Sequence, residues 1–314
     1  MGGGNPITQG IIALPKPNSD HLYYLFYTDF QSTYEYPSGL YFPLAPLTLY
    51  YAIIDMQLDN GRGAVVQKNQ VVVQDTLARG LIQAQRHANS QDWWIVMPES
   101  HSNCYYTLLL TENGIDTVFK QCVGHIWGDE DPTGQAVFSP NSLQYARFNY
   151  FYGLNIFDFD DSTGLFFHPL HIDFGQDTFY WAGGAFSSNS RFFYACATRR
   201  LWQFDLWASD VSASRILIDT VTAPPDMGYK ARFIAARLAP DGKIYIASNS
   251  QNAYLHTIHR PNCYGLACDL QQYAVKMPTL NTYTMVNMPH YKHWSESDTC
   301  ETVGVKVVKE RVGK

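Results

Sequence analysis

Hydrophobic and polar residues alternate in short bursts along this chain, and the bursts recur. Five stretches share one layout: a short apolar run, a tight polar turn built on Asn-Ser or Asp-Gly, then an aromatic-rich run. The first is Ile11-Ile-Ala-Leu-Pro-Lys-Pro-Asn18-Ser19 before His21-Leu-Tyr-Tyr-Leu-Phe-Tyr27. The second is Ile82-Gln-Ala-Gln-Arg-His-Ala-Asn89-Ser90 before Asp92-Trp-Trp-Ile-Val-Met97. Ala136-Val-Phe-Ser-Pro-Asn141-Ser142, Ala185-Phe-Ser-Ser-Asn189-Ser190 and Ala236-Arg-Leu-Ala-Pro-Asp241-Gly242 open the other three. Asn, Asp and Gly tolerate the left-handed backbone that a tight hairpin demands, so each layout predicts a hairpin.

A further strand pair follows each hairpin, with its first member at 50–56, 105–110, 154–159, 201–206 and 254–258. The alternation in Leu201-Trp-Gln-Phe-Asp-Leu206 favours half-buried strands over helices. The turns at 18, 89, 141, 189 and 241 recur about every 50 residues after one longer first interval, the period of four-stranded propeller blades. The predicted fold class is therefore all-β, a propeller with five recognisable blades over 1–304 and a tail at 305–314. A two-sheet sandwich is the rival, but it has no reason to repeat at this period.

Composition agrees with a globular chain. Of 314 residues, 46% are hydrophobic, 15% aromatic and only 16% charged, far from a disordered composition. No run of about 18 apolar residues occurs, so no membrane-spanning helix is expected. Residues 1–9 lack the order of a signal peptide, so an export signal would have been removed or lie upstream. A net charge of -6 without a Lys/Arg stripe argues against nucleic acid as a partner.

Six cysteines are an even count but too sparse for a small disulfide scaffold. Cys104 and Cys122 bracket a hairpin turning at Glu112-Asn113-Gly114, which suits a cross-strand disulfide; two half-buried thiols are the alternative. Cys263 and Cys268 lack the second close pair of a zinc site.

A resemblance adds to this reading. His87-Ala-Asn-Ser-Gln-Asp-Trp-Trp94, Phe157-Asp-Phe-Asp-Asp-Ser-Thr-Gly-Leu165, Leu238-Ala-Pro-Asp-Gly-Lys-Ile-Tyr245 and Tyr264-Gly-Leu-Ala-Cys268 resemble the WD40-like propeller of large secreted Bacteroidetes proteins. Such proteins commonly carry a C-terminal sorting domain for type IX secretion. The resemblance implies export and a secreted or cell-surface role. It also implies about two blades before Thr8-Gln9, so the chain reads either as the last five of about seven blades or as a closed five-bladed ring. Residues 280–291 look like the start of a further strand, which favours the first reading, with the absent blades supplied by a longer precursor or by another polypeptide.

Turns inside the first hairpins are short and uniform, whereas the loops on the opposite face are longer and differ between blades, which places a binding site on that second face. Its candidates are Tyr34, Tyr36, Tyr41 and Phe42 from the insertion at 31–47, then Trp127, Tyr180, Trp181, Arg199, Arg200 and Tyr229. His125, Asp129, Glu130 and Lys230 lie in the same loops. Exposed aromatics with a few polar partners suit stacking on sugars or anchoring a protein.

Chemistry is less evident. Asp158, Asp160 and Asp161 miss the late bidentate Glu of a calcium loop and read as an Asp-rich turn. The spacing of His168, His171 and Asp173 does not put all three on one strand face. Carboxylates such as Asp129, Glu130 and Asp177 could serve a glycosidase only at a separation that sequence does not give. His87 and Asn89 fall at a hairpin turn and read as structural. No nucleophile elbow, phosphate loop or dinucleotide fingerprint occurs, and no catalytic residue, metal or cofactor is expected. The leading expectation is a non-enzymatic recognition module for glycan or protein. The alternatives are a carbohydrate-active hydrolase or lyase using the same face, and a structural subunit of a surface assembly.

Overall fold

The computed structural model describes residues 8–29, 47–128, 134–149, 151–174, 182–223, 232–248, 252–281, 285–291 and 300. Twenty strands form five antiparallel sheets of four, each contiguous in sequence. Blade 1 holds β1 (Ile11–Pro15), β2 (Leu22–Thr28), β3 (Thr48–Asp55) and β4 (Ala64–Gln74). Blade 2 holds β5 (Gln83–Arg86), β6 (Trp93–Pro98), β7 (Cys104–Thr111) and β8 (Gly114–Cys122). Blade 3 holds β9 (Gly134–Phe138), β10 (Gln144–Asn149), β11 (Gly153–Asp160) and β12 (Leu165–Ile172). Blade 4 holds β13 (Ala182–Phe186), β14 (Phe192–Ala197), β15 (Arg200–Asp205) and β16 (Ile216–Thr220). Blade 5 holds β17 (Ala236–Leu238), β18 (Ile244–Ile246), β19 (Asn252–Ile258) and β20 (Leu270–Asn281). The protein is a five-bladed β-propeller.

The first strand of each blade lies innermost. β13 and β17 are buried along their whole lengths and β9 at all but its first residue, whereas β4, β8 and β12 are largely exposed. Inner strands meet neighbouring blades, so even polar residues in them, Gln83, Gln85, Gln135 and Arg237, are buried, while β1 alternates exposed and buried positions. Strand β6, Trp-Trp-Ile-Val-Met-Pro, is buried at every position, and β15 keeps Gln203 as buried as its apolar neighbours.

Four of the five seams between blades are filled by apolar clusters. Ile12, Phe26 and Leu49 meet Trp93 and Ile95 between blades 1 and 2, and Trp94 and Tyr105 meet Phe138 and Phe157 between blades 2 and 3. Phe148 and Ile156 meet Phe186 and Phe204 in the next seam, and Tyr194 and Leu201 meet Ile244 and Ile258 in the fourth. Burial of this kind contributes about 25 cal/mol per Å² of apolar surface, so the seams supply most of the driving force for the ring.

Blade 5 and blade 1 are joined differently. Met285 packs against Ile234, Ala235 and Ala247 of blade 5. Two residues on, the Asn287 amide donates to Ile11 O at 3.0 Å in blade 1 and to Ile82 O at 2.9 Å beside blade 2. Asn287 Oδ1 accepts from Gln83 Nε2, and the Tyr291 hydroxyl donates to Ala13 O. The segment 285–291 therefore lies inside the ring. The expectation that residues 280–291 start a further strand is not met: Leu280 and Asn281 finish β20, and residues 285–291 bond the channel edges of blades 1 and 2.

Cys104 and Cys122 sit directly opposite each other on β7 and β8 and form a disulfide. A second disulfide joins Cys263, in the turn between β19 and β20, to Cys300. That turn is held by blade 4, where Tyr194 Oη donates to Pro261 O and the Gln203 amide donates to Cys263 O. Two disulfides fit a chain that works outside the reducing cytoplasm. Cys196 and Cys268 remain buried thiols, and burial pushes the Cys268 thiol up to about 11, so it is inert toward oxidants.

Candidate functional site

The loops joining β2 to β3, β8 to β9, β12 to β13 and β16 to β17 all emerge on one face, and parts of each lie outside the described residues. Tyr34, Tyr36, Tyr41, Phe42, Tyr180, Trp181 and Tyr229 fall there, as do Asp129, Glu130, Asp177 and Lys230. Arg199 and Arg200 are exposed on this loop face, between β14 and β15.

Trp127 is placed otherwise than the sequence suggested. It is fully buried, because its backbone N–H bonds Ser102 O and turns the ring inward under the seam between blades 2 and 3. The buried Arg147 guanidinium stacks on it at 4.0 Å, and Tyr152 meets its edge at 5.7 Å. A buried guanidinium over an indole is a cation–π contact that stiffens this seam. The expected ligand-facing indole at 127 is thus corrected to a packing residue.

Beside this cluster the chain assembles a group with chemical potential. His171 ends the outer strand of blade 3, directly opposite Asn155 on β11. Its Nδ1 lies 3.1 Å from Asn155 Oδ1, and Asn155 is almost wholly buried. In the tautomer that carries its proton on Nδ1, that proton is donated to the Asn155 carbonyl and Nε2 keeps its lone pair. His125, from the segment leaving blade 2, stacks on the His171 ring at 4.1 Å with 12° between planes. Partial burial first, then the neighbouring His125, hold the His171 imidazole below its ordinary value, while Asp173 pulls the other way. The result is an imidazole held against Asn155 at the loop face and biased toward its neutral form, the form a general base requires near neutral pH. Gly153 makes the geometry possible at φ +73, since a Cβ there would sit 2.3 Å from Ile172 O and 3.3 Å from His171 Cε1.

Other polar groups of the sequence resolve into structural roles. His168 bonds Asp158 at 3.0 Å, away from the His171–Asn155 pair. Asp160 Oδ1 accepts from the Ser162 and Thr163 amides, as an Asp-rich turn should. Asn89 Oδ1 accepts from Gln91 N and Asp92 N, and His87 Nδ1 accepts from Asn89 N, fixing the hairpin. At the seam of blades 1 and 2, Asp75 accepts from the Tyr106 hydroxyl and, at 3.2 Å, from Lys120. Lys120 also meets Glu99 at 2.5 Å. Despite the opposing cost of burial, these bonds hold the Asp75 carboxyl down to about 2, so it is a tie and no proton acceptor.

Asn155 and Arg147 escaped the sequence reading. Both lie within apolar strands, and only the cross-strand register, which pairs 155 with 171, could have drawn attention to them.

No family model matches the chain, and no curated protein matches it. Solved structures similar to it include a protein from Lactobacillus plantarum, at 13% identity over 88% of this chain and 86% of that one, with a TM-score of 0.49. A Bacteroides fragilis protein provisionally named a 6-phosphogluconolactonase aligns at 9% identity over 87% and 86% of the chains, TM-score 0.48. The periplasmic gluconolactonase of Pseudomonas aeruginosa aligns at 11% identity over 86% of this chain and 70% of its own, TM-score 0.48. At these identities the likeness concerns the fold. None of these comparisons bears on type IX secretion. The expectation of a non-enzymatic recognition module is corrected here: two of these three structures bear lactonase names, one of them provisionally, and the enzyme alternative is taken up below as a proposal.

Proposed function

We propose that this chain is a hydrolase of carbohydrate-derived substrates, secreted or held at the cell surface, with His171 as its general base. The observation that carries the reading is the His171–Asn155 pair, which presents the Nε2 lone pair on the loop face. In lactone hydrolysis, Nε2 would take a proton from water as its oxygen adds to the ring carbonyl. The acyl–oxygen bond then breaks, and the proton passes to the leaving alkoxide. His125 covers one side of the ring and opposes its protonation.

Lactones of sugar acids are the first substrates to try, because the Pseudomonas and Bacteroides proteins of similar fold bear those names. The test is acid release followed in a pH-stat over a panel of sugar lactones and glycosides, with wild type and His171→Gln compared. Removing a general base costs about 10²–10⁴-fold in rate. Since His171 titrates below the ordinary imidazole value, wild-type activity is expected to hold through pH 6.5 and fall only in more acid solution. Folded wild type that never exceeds spontaneous hydrolysis on any member of the panel would overturn the proposal.

A further inference from the structure

Arg237 is the middle residue of β17, the inner strand of blade 5, and only 7% of it is exposed. Arginine is almost never this buried without a partner, because an uncompensated guanidinium in a low-dielectric interior costs several kcal/mol. Among the described residues no carboxylate pairs with it. Its charged neighbourhood is instead positive or neutral: the His290 imidazole and the Tyr291 phenol, with Arg86 beyond Tyr291. Burial lowers the guanidinium to about 10 and holds the His290 imidazole, whose Nε2 is sealed without a hydrogen-bond partner, down to about 3. At neutral pH the imidazole is therefore uncharged, and the guanidinium retains a full positive charge.

The guanidinium has space beside it. Arg237 lines a cavity at the channel mouth on the loop face, bounded by Thr8, Gln9, Gln135, Ala182 and Met285. Its volume, ≈ 20 Å³ of room for the centre of a water-sized sphere, suits one water or an ion of similar size, since about 10–15 Å³ on this measure is enough for a water. The walls are already committed to each other. Gln9 exchanges two hydrogen bonds with Ala136, and Gln135 Nε2 donates to Ala236 O while its Oε1 accepts from Gly184 N and Ala236 N. With their amides spent on the ring, these glutamines offer no carboxylate and no free acceptor for the guanidinium.

We propose that this cavity is an anion site in which one halide-sized monovalent anion, chloride in ordinary solution, neutralises Arg237 at the centre of the ring. A water fills the same space but leaves the charge unbalanced. The anion would act at the point where the inner strands of blades 3, 4 and 5 meet the 285–291 segment, so its effect is on ring stability. This site stands apart from His171 and does not depend on the hydrolase reading.

Two measurements on the intact protein test it. Crystals soaked in bromide should show an anomalous peak within hydrogen-bond distance of the Arg237 guanidinium. Thermal unfolding at fixed ionic strength should shift upward by a few degrees as chloride or bromide replaces isethionate, in proportion to the logarithm of halide concentration. Arg237→Met should abolish that dependence. No bromide peak at Arg237 in wild-type crystals overturns the proposal, whether or not the variant folds. A peak accompanied by identical unfolding in chloride and isethionate also overturns it, because the ion would then be adventitious.

Discussion

Ser90, Ser142 and Ser190 take up the left-handed backbone of their turns, at φ 61, 71 and 60, where Gly242 stands in blade 5 at φ 83. In blade 1 the strained residue is Asn18 instead, at φ 55. All five turns nevertheless close with the same hydrogen bond, from the amide at 19, 90, 142, 190 or 242 to the carbonyl three residues earlier. The asparagines of blades 2 to 4 serve as acceptors for the amides that follow, so the chemistry of the motif is divided between its two residues. Two of the serines work across seams: Ser142 Oγ accepts from Gln85, and Ser190 Oγ accepts from Asn141 N. Ser90 is exposed and has no such link. Ser90→Gly should therefore relieve left-handed strain and stabilise the protein by about 0.5–1 kcal/mol, read as a higher urea midpoint with an unchanged slope. Ser142→Gly should gain less, or lose, because it also leaves a buried Gln85 amide without its acceptor.

At the scale of strands and hairpins, the repeat in the sequence and the blades coincide closely. The expected third strands at 105–110, 154–159 and 201–206 fall within or beside β7, β11 and β15. The expected pairing of Cys104 with Cys122 follows from the same hairpin, because a turn at 112–113 brings both to one end of the ladder. This bond clasps the outer hairpin of blade 2, whose last strand has no further sheet neighbour to hold it. Replacing both cysteines by serine should cost about 2–4 kcal/mol, measured as the loss in unfolding free energy under non-reducing conditions. Alternation was a weaker guide than periodicity. The third strands are also covered by adjacent blades, so polar residues such as Gln203 and Asn155 stand in them fully buried, Gln203 donating to Cys263 O and Asn155 in contact with His171.

For the whole molecule, ring closure is the decisive feature. Residues 285–291 reach blade 5 through Met285 and blades 1 and 2 through Asn287, where the other four seams rely on apolar clusters. Asn287→Ala should leave Ile11 O and the Gln83 amide short of partners and cost about 1–3 kcal/mol. Hydrogen exchange should then show β1 and β17 losing protection before β9 and β13, since the change loosens one junction and spares the others. Equal loss in all blades would argue that the ring opens elsewhere.

Closure of the ring at five blades and the Cys104–Cys122 bond stayed open in the sequence, which by itself determined five recurring blades, their boundaries and the turn that closes each inner hairpin. These depend on interactions between residues near one another in the chain, which periodicity and turn chemistry record directly. Tertiary structure alone decided what lies at the seams and the axis. Trp127 reads as an exposed aromatic until its backbone bond to Ser102 turns it under Arg147. His171 reads as a loop histidine until the register sets it on Asn155. Arg237 reads as one more strand residue until the ring closes around it, and residues 285–291 read as the start of another repeat until they are found within the ring. For Trp127, Arg237 and residues 285–291 the deciding partner lies on another blade; for His171 it lies in the same blade but depends on the exact register of β12 on β11, and no local pattern carries either.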